Sequence, residues 1–421
     1  MAQSLGLRTT AQAQDSGGFT QIVRQVDDQI VLLEPNETPL LTFLMKLKKR
    51  FPVYTTTYEW LEDDYVARWA NINDATVNGT SGHGLNTDTT TTFIVDDGTK
   101  FVVGDTLCFP SALASSVPPE VCLVQATNVS GNANQITVKR NLSGVAAQEA
   151  TLANGQAIRI LGPAYSEGAL PPQAKETIQN RKTSYTQIFR TAINLSKTQA
   201  AVKQYGKTNG ERRFEQKKKL IEHKIKLNSA ALFGAASTGT DPNTGQPLRT
   251  TMGIINAVQS NVTMANSGVL DKKTFEAFAR QAFRYGKPQK LLVAAPMVIS
   301  AIHDWGNSFL LVKPGEKLLG VDVERVDTGH GTFLLARDWM MENGAPSGGN
   351  GFGGMAVSVD LDECSYFYLN NNGENRDTRI MEDVVKTGAD AYTDEILTEG
   401  GFAFKFEKKH AKLLGVSDYA V

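Results

Sequence analysis

The chain has 421 residues, 41% of them hydrophobic, so it can bury a sizeable core, and its length fits two or three domain-sized units. Its 43 basic residues nearly cancel its 44 acidic ones. That excludes a chain that coats nucleic acid through a strongly basic tail and restricts any such contact to a local, nonspecific one, while the near-zero net charge permits dense association of copies.

Residues 1 to about 28 are polar and contain Gly and Ser. Such a segment cannot offset its ordering entropy by burial, so it is expected to be disordered or ordered by neighbouring copies. Met1 to Asp15 holds one arginine and no apolar core, so no signal peptide is expected, and no apolar run approaches the ~20 residues that span a bilayer. The first firm element follows Pro35. Thr38 is a candidate N-cap, Pro39 takes the first helical position, Leu40, Leu41, Phe43, Leu44 and Leu47 supply apolar faces, and Lys46, Lys48, Lys49 and Arg50 crowd the last turn. From Val53 to Tyr65 the period becomes two, which predicts a strand; residues 66–92 read as an exposed loop. Short β-like runs follow at Phe93 to Val95, Lys100 to Val103, Val121 to Ala126, Gln135 to Val138 and Ala157 to Leu161, separated by turn signals. This spacing predicts a small all-β module inserted into a longer loop. Residues 183–196 alternate again, and with 53–65 they read as the two strands of one long hairpin carrying the module.

A long helix is predicted from a cap at Asn209 to Gly234, with Phe214, Ile221, Ile225, Asn228 and Leu232 on one face. The other side carries Arg212, Arg213, Lys217, Lys218, Lys219, Lys224 and Lys226 against Glu211, Glu215 and Glu222, with Glu215–Lys219 and Glu222–Lys226 in the favourable order. Beyond it the pattern is mixed: a helix from Asp271, a buried strand at Leu291 to Ala295, a helix to Trp305, and strands at Thr332 to Ala336, Ala356 to Asp362 and Tyr366 to Leu369. A half-buried strand carries Phe402, Phe404 and Phe406.

No catalytic, cofactor-binding or metal-binding residues emerge. The segment from Ala201 to Gly206, Lys207 and Thr208 lacks a glycine that a phosphate-binding loop requires. Gly349 to Gly354 has dinucleotide-loop spacing but no strand before it and no helix after it. His83, His223, His303, His330 and His410 are scattered, and no nucleophile elbow accompanies His303-Asp304. The acidic run Asp360 to Glu363 fits the outward face of a strand, and Cys108, Cys122 and Cys364, an odd set suited to a reducing compartment, read as buried small hydrophobes. The Lys217 to Lys219 run reads first as a solvated face and second as a contact for DNA phosphates.

The order of these elements, with Glu37-Thr38-Pro39-Leu40-Leu41, Tyr58 to Asp63, Asn180, Thr186 to Phe189, Leu195 to Thr198, Tyr205-Gly206 and Arg249 to Ile254, resembles the major capsid proteins of tailed bacteriophages. That resemblance implies an α+β, Hong Kong 97-like fold. Residues 1–50 would hold an N-terminal arm and first helix, and 51–91 with 164–200 the extended loop. Residues 92–163 would form an inserted β domain, 201–254 a peripheral domain with its spine helix, 255–355 an axial domain, and 356–421 returning strands. It further implies a structural, non-enzymatic subunit that assembles through hexameric and pentameric capsomers into an icosahedral or prolate shell around double-stranded DNA. Expected partners are sister copies, a separate scaffolding protein, a portal, a decoration protein and, nonspecifically, the packaged DNA, with assembly in the host cytoplasm and no membrane. The alternative is another phage structural or adhesion protein whose β module binds a ligand.

Overall fold

A computed structural model describes residues 38–47, 49–65, 67–74, 89–110, 119–142, 152–169, 176–202, 210–306, 311–318, 321–341, 354–371, 373–384 and 390–419, with 306, 311–318, 321–323 and 419 as backbone only. The polar leader, Asn209, the Gly206 segment, His83 and residues 349–353 lie outside this set.

Helix α1 (Pro39–Lys46) starts at its proline, as expected, although Thr38 gives it no side-chain cap bond. Strands β1 (Arg50–Val53), β2 (Thr57–Glu62), β3 (Trp69–Asn71), β4 (Thr90–Ile94), β5 (Asp105–Phe109), β6 (Glu120–Thr127), β7 (Gln135–Lys139), β8 (Ala157–Pro163), β9 (Asn180–Tyr185) and β10 (Gln187–Ser196) follow. Then come α2 (Lys197–Ala201), α3 (Glu211–Phe233), the hairpin β11 (Ser237–Thr240) and β12 (Pro247–Thr250), α4 (Ile254–Ala257), β13 (Val262–Met264) and β14 (Val269–Leu270). Helix α5 (Lys272–Ala282) is capped by Asp271, whose carboxylate accepts from the Thr274 amide at 2.8 Å. Next are β15 (Gln289–Ala294), α6 (Pro296–Gly306), β16 (Leu311–Leu318), β17 (Val321–Thr328), β18 (Gly331–Arg337), β19 (Gly354–Val359), β20 (Cys364–Asn371), β21 (Glu374–Asn375) and β22 (Arg379–Met381). The long β23 (Ala391–Phe404), β24 (Ala411–Val416) and β25 (Asp418–Tyr419) end the series. The fold class is α+β.

Two compact units divide the chain: residues 1–60 with 181–421, and residues 61–180. In the first, one sheet has the order β1-β20-β23-β10, with β21 on β20 and β22 on β23. A seven-stranded sheet has the order β13-β24-β19-β15-β18-β17-β16. Their shared core joins Leu40, Phe43 and Leu44 of α1, Leu227, Ala231 and Leu232 of α3, Phe275 and Phe278 of α5, and the fully apolar run Leu291 to Ala295. Phe333 sits among Phe275, Phe278 and Phe283 with ring centroids 4.5–6.2 Å away.

In the second unit, six strands follow the order β3-β8-β5-β6-β7-β4. The two end strands also meet: Ile72 bridges Val95, Asn73 N–H donates to the Ile94 carbonyl at 2.9 Å and Asp96 N–H to the Asn71 carbonyl at 3.0 Å. The sheet therefore closes into a small barrel, which removes the edges that would invite stray pairing. Its interior is filled by Phe93, Val95, Phe101, Leu107, Phe109, Cys122, Val124, Ile136, Val138 and Ile158. Inside it Glu120 takes a bidentate pair from the buried Arg140 (3.0 and 2.7 Å). Burial pulls the Glu120 carboxyl upward, but the Arg140 hydrogen bonds and charge outweigh it and leave the group below its usual range.

Several expectations need correction. The run from Val53 to Tyr65 is two strands, because the chain bends at residues 54–56: β1 lies parallel to β20, while β2 pairs with β9. Residues 183–196 break at Thr186, and β10 leaves the hairpin to pair along its whole length with β23. The hairpin is thus only β2 with β9, a ribbon with no third strand among the described residues. Lys100 to Val103 is not a strand but the end of a short 3-10 turn and its exit; the strand is β5, and β3 stands in what read as a loop. Asp360 to Glu363 is a 3-10 turn capped by Asp360, not a strand face. Phe406 lies beyond the last strand residue at φ 52, and β23 is buried on both faces from Asp394 onward.

Candidate assembly surfaces and the polar seam of the long helix

The residues that could carry chemistry are dispersed. Among the described residues no group of three His, Cys, Asp or Glu is placed to hold a metal ion, and no helix is long and apolar enough to cross a membrane. The three cysteines are free thiols; Cys122 and Cys364 are buried and Cys108 half-buried. His303 pairs with Glu324 at 2.5 Å rather than with Asp304, and His330 is exposed in a turn. His410 is fully buried: its Nδ1 accepts from the Asp360 amide at 3.2 Å and its Nε2 donates to the Lys405 carbonyl at 3.1 Å. Lys290, also buried, spends its three protons on the carbonyls of Ala282, Tyr285 and Lys409. Burial lowers its pKa to about 8, yet three carbonyl acceptors and no donor are what an ammonium demands. It ties three segments together and offers no free electron pair.

The polar groups that sequence reasoning missed lie along β23, with Asp394 and Thr398 on the face toward α3 and Glu395 and Glu399 on the alternate face. Strand β10 alternates buried Phe189, Thr191, Ile193 and Leu195 with exposed partners, and β23 beside it carries Asp394, Glu395 and Glu399, all at or below 5% exposure. Each carboxylate is matched from a different element. Asp394 accepts from Arg212 of α3 (2.7 and 2.5 Å) and from Gln216 (2.8 Å), which hold it below the ordinary carboxylate range. Glu395 takes Arg190 of β10, with the same effect, and Glu399 takes Arg376, with Arg249 of β12 at 3.8 Å and Thr186 at 3.3 Å. A buried charge persists only when paired in this way.

His223 of α3 completes the seam. Lys226 has only protons to give, so Thr191 Oγ1 accepts from it at 3.1 Å. The Thr191 hydroxyl then donates to His223 Nδ1 at 3.0 Å, and Nε2–H donates to Thr398 Oγ1 at 2.8 Å, which passes its own proton to Thr378 at 2.9 Å. Every group is satisfied with the ring neutral, and burial, followed by the Lys226 charge, lowers its pKa to about 4. The expected apolar face of the helix is real only in its second half: Leu227, Asn228, Ala231 and Leu232 are buried, while Phe214, Ile221 and Ile225 are half-buried. Lys219 pairs with Glu222 at 2.7 Å instead of with Glu215.

Exposed apolar side chains are spread over the described residues, Met264 at 68% among them, and several stand on the β2–β9 ribbon and its flanks. Tyr65 is 97% exposed, Ile178 89%, Tyr54 72% and Leu61 62%. Such values describe side chains in solvent among the described residues.

A curated major capsid protein from Pseudomonas phage PaMx41 is 33% identical over 129 residues, 30% of this chain and 29% of that relative. Among solved structures, the capsid of a native GTA particle aligns over 97% of this chain and 99% of its own at 8% identity and a TM-score of 0.48. A Gordonia phage Cozz chain aligns over 100% and 97% at 10% identity and a TM-score of 0.40. The family model for SU10 major capsid proteins matches residues 5–417. By that match, which takes in nearly the whole sequence, the chain belongs to the SU10 major capsid protein family.

Proposed function

We propose that this capsid protein is a shell-building subunit and not an enzyme, and that copies of it associate as hexameric and pentameric capsomers into a closed head around double-stranded DNA. The observation that carries this is the β2–β9 ribbon. Two strands alone are marginal in water, and this pair sets Leu61 and, on its flank, Ile178 in solvent. A neighbouring copy that covers the ribbon supplies the burial it lacks, and repeated around rotation axes such heterologous contacts close a shell. In this reading the ribbon is the core of the extended loop assigned to 51–91 and 164–200, and the barrel, whose first strand β3 stands at Trp69–Asn71, takes in the inserted domain assigned to 92–163 and part of the first arm of that loop. Helix α3 is the peripheral spine within 201–254, residues 255–355 form most of the axial domain, 356–421 return to it, and 1–50 contain the arm. The fold is then Hong Kong 97-like. A separate scaffolding protein, a portal and a decoration protein are the further partners, and assembly takes place in the host cytoplasm. The ligand-binding alternative for the β module has less support, since apolar side chains fill the barrel interior.

The test is electron microscopy of purified protein with and without co-expressed scaffolding protein. Wild type gives closed particles, whereas Leu61→Asp/Ile178→Asp keeps the wild-type circular dichroism and gives none. A wild-type protein that stays a compact monomer under all assembly conditions overturns the proposal.

A further inference from the structure

Helix α3 sorts its cations. Arg212 is spent on Asp394, Lys226 on Thr191 and Lys219 on Glu222. Arg213, Lys217 and Lys224 are exposed, and none of them makes an ion pair among the described residues. At 100° per residue these three fall within about 40° of one another, in a stripe about 16 Å long at ~1.5 Å per residue. The sequence gives none of them an acidic neighbour three or four residues away, and Arg213 and Lys217 are a like-charged pair at i,i+4, a spacing that weakens a helix. Glu215 and Glu222 lie on the other side.

We propose that this stripe of Arg213, Lys217 and Lys224 is the surface on which the subunit meets the phosphate backbone of DNA. The inference rests on the shell reading and deepens it by turning this side of α3 toward the packaged genome. Charge complementarity selects the partner. A protein surface would need aromatic or aliphatic anchors at its centre, and none of the exposed large hydrophobic side chains among the described residues belongs to α3. A line of cations without apolar anchors suits a uniform polyanion, bound without sequence preference by release of its counterions. It is also consistent with the near-neutral total charge, because the exposed unpaired cations of α3 gather on one face, the half-buried Lys218 lying off it.

The experiment uses the full unassembled chain and a labelled random-sequence 30-base-pair duplex, with affinity read by anisotropy from 50 to 200 mM salt. Three phosphate contacts contribute about 2.7 to the slope of log affinity against log salt, which is about a 40-fold loss across that range. Arg213→Gln/Lys217→Gln/Lys224→Gln is expected to lose that contribution, while the charge-matched Lys139→Gln/Lys273→Gln/Arg280→Gln keeps it. Equal slopes for wild type and the stripe variant, or equal losses in both variants, overturn the inference. A stripe variant with the wild-type slope that no longer forms particles assigns the stripe to a protein partner and likewise overturns it. Failure of the wild type to form particles while the stripe variant loses its slope sinks the shell reading and leaves DNA binding by the stripe standing.

Discussion

Replacing His223 with glutamine separates one buried imidazole from the rest of the acid response of the subunit. In the folded protein its pKa lies at about 4, whereas an unfolded histidine titrates near ~6.5. The folded value is the lower one, so the unfolded chain binds the extra proton first. The stabilisation is complete above the unfolded value and drains away as pH falls toward 4. Between pH 7.5 and 4.5 one such group costs about 2.5 kcal/mol. His410 is lowered to about 4 as well, by its own burial, so wild type loses roughly twice that amount from its two histidines. The amide introduced by His223→Gln can keep the donor to Thr398 but does not titrate, so the variant loses about 2.5 kcal/mol less than wild type over the same interval. Asp394 and Glu395, held low by Arg212 and Arg190, act equally in both proteins and cancel in the comparison. Denaturant unfolding of unassembled subunits at the two pH values, followed by far-UV circular dichroism, reads the right unit, because every α-helix described lies in residues 1–60 or 181–421. Identical losses in the two proteins would refute the neutral-ring assignment and the hydrogen-bond order built on it.

Three further outcomes follow from packing. Phe333→Ala removes a fully buried ring from the centre of a four-ring cluster; a loss of about 3–5 kcal/mol is expected by denaturant titration, with the barrel unaffected. Arg140→Ala strands the Glu120 carboxylate inside the barrel and should cost ~3–5 kcal/mol there. Hydrogen exchange should place that loss in residues 61–180 and leave α5 protected. Gly401→Ala puts a methyl 2.5 Å from both the Tyr185 carbonyl and the Phe367 ring, an overpacking expected to cost about 1–3 kcal/mol, which a thermal melt of the subunit would detect.

What the sequence made legible were elements whose signals are local. Pro39 opens α1, Asp271 caps α5, and the apolar run from Leu291 reads as a buried strand because its neighbours on the chain suffice to say so. The family was legible in the order of weak motifs, which composition and spacing alone do not encode. The pairing of strands was not. Alternation continues almost unbroken through Thr186, so nothing nearby tells that β9 turns to β2 while β10 turns to β23. Among the described residues the barrel closes through a single backbone bridge, between Ile72 and Val95 at the ends of two short strands, with the Asp74 carboxylate accepting from the Ile94 amide beside it.

The hardest element to read was β23, and the reason is physical. Asp394, Glu395, Thr398 and Glu399 are residue types that favour solvent, so the segment resembles a surface strand until its partners are known. Those partners, Arg190 and Arg212, stand 205 and 182 residues away in sequence. Separation in sequence also hid His223, which reads as one more polar residue on a charged helix until Thr191 and Thr398, 32 and 175 residues away, close on its two nitrogens. Hydrophobic periodicity can forecast which residues leave water, but it cannot forecast a charge that leaves water because its counterion travels with it. The polar seam therefore belongs to the tertiary structure alone. It also divides α3 unequally: its second half enters the core through Leu227, Ala231 and Leu232, while the described hydrogen bonds and ion pairs to the sheet gather between Arg212 and Lys226. Acid, which protonates His223 and in time Asp394, strikes the part held by polar groups and spares the part held by apolar ones.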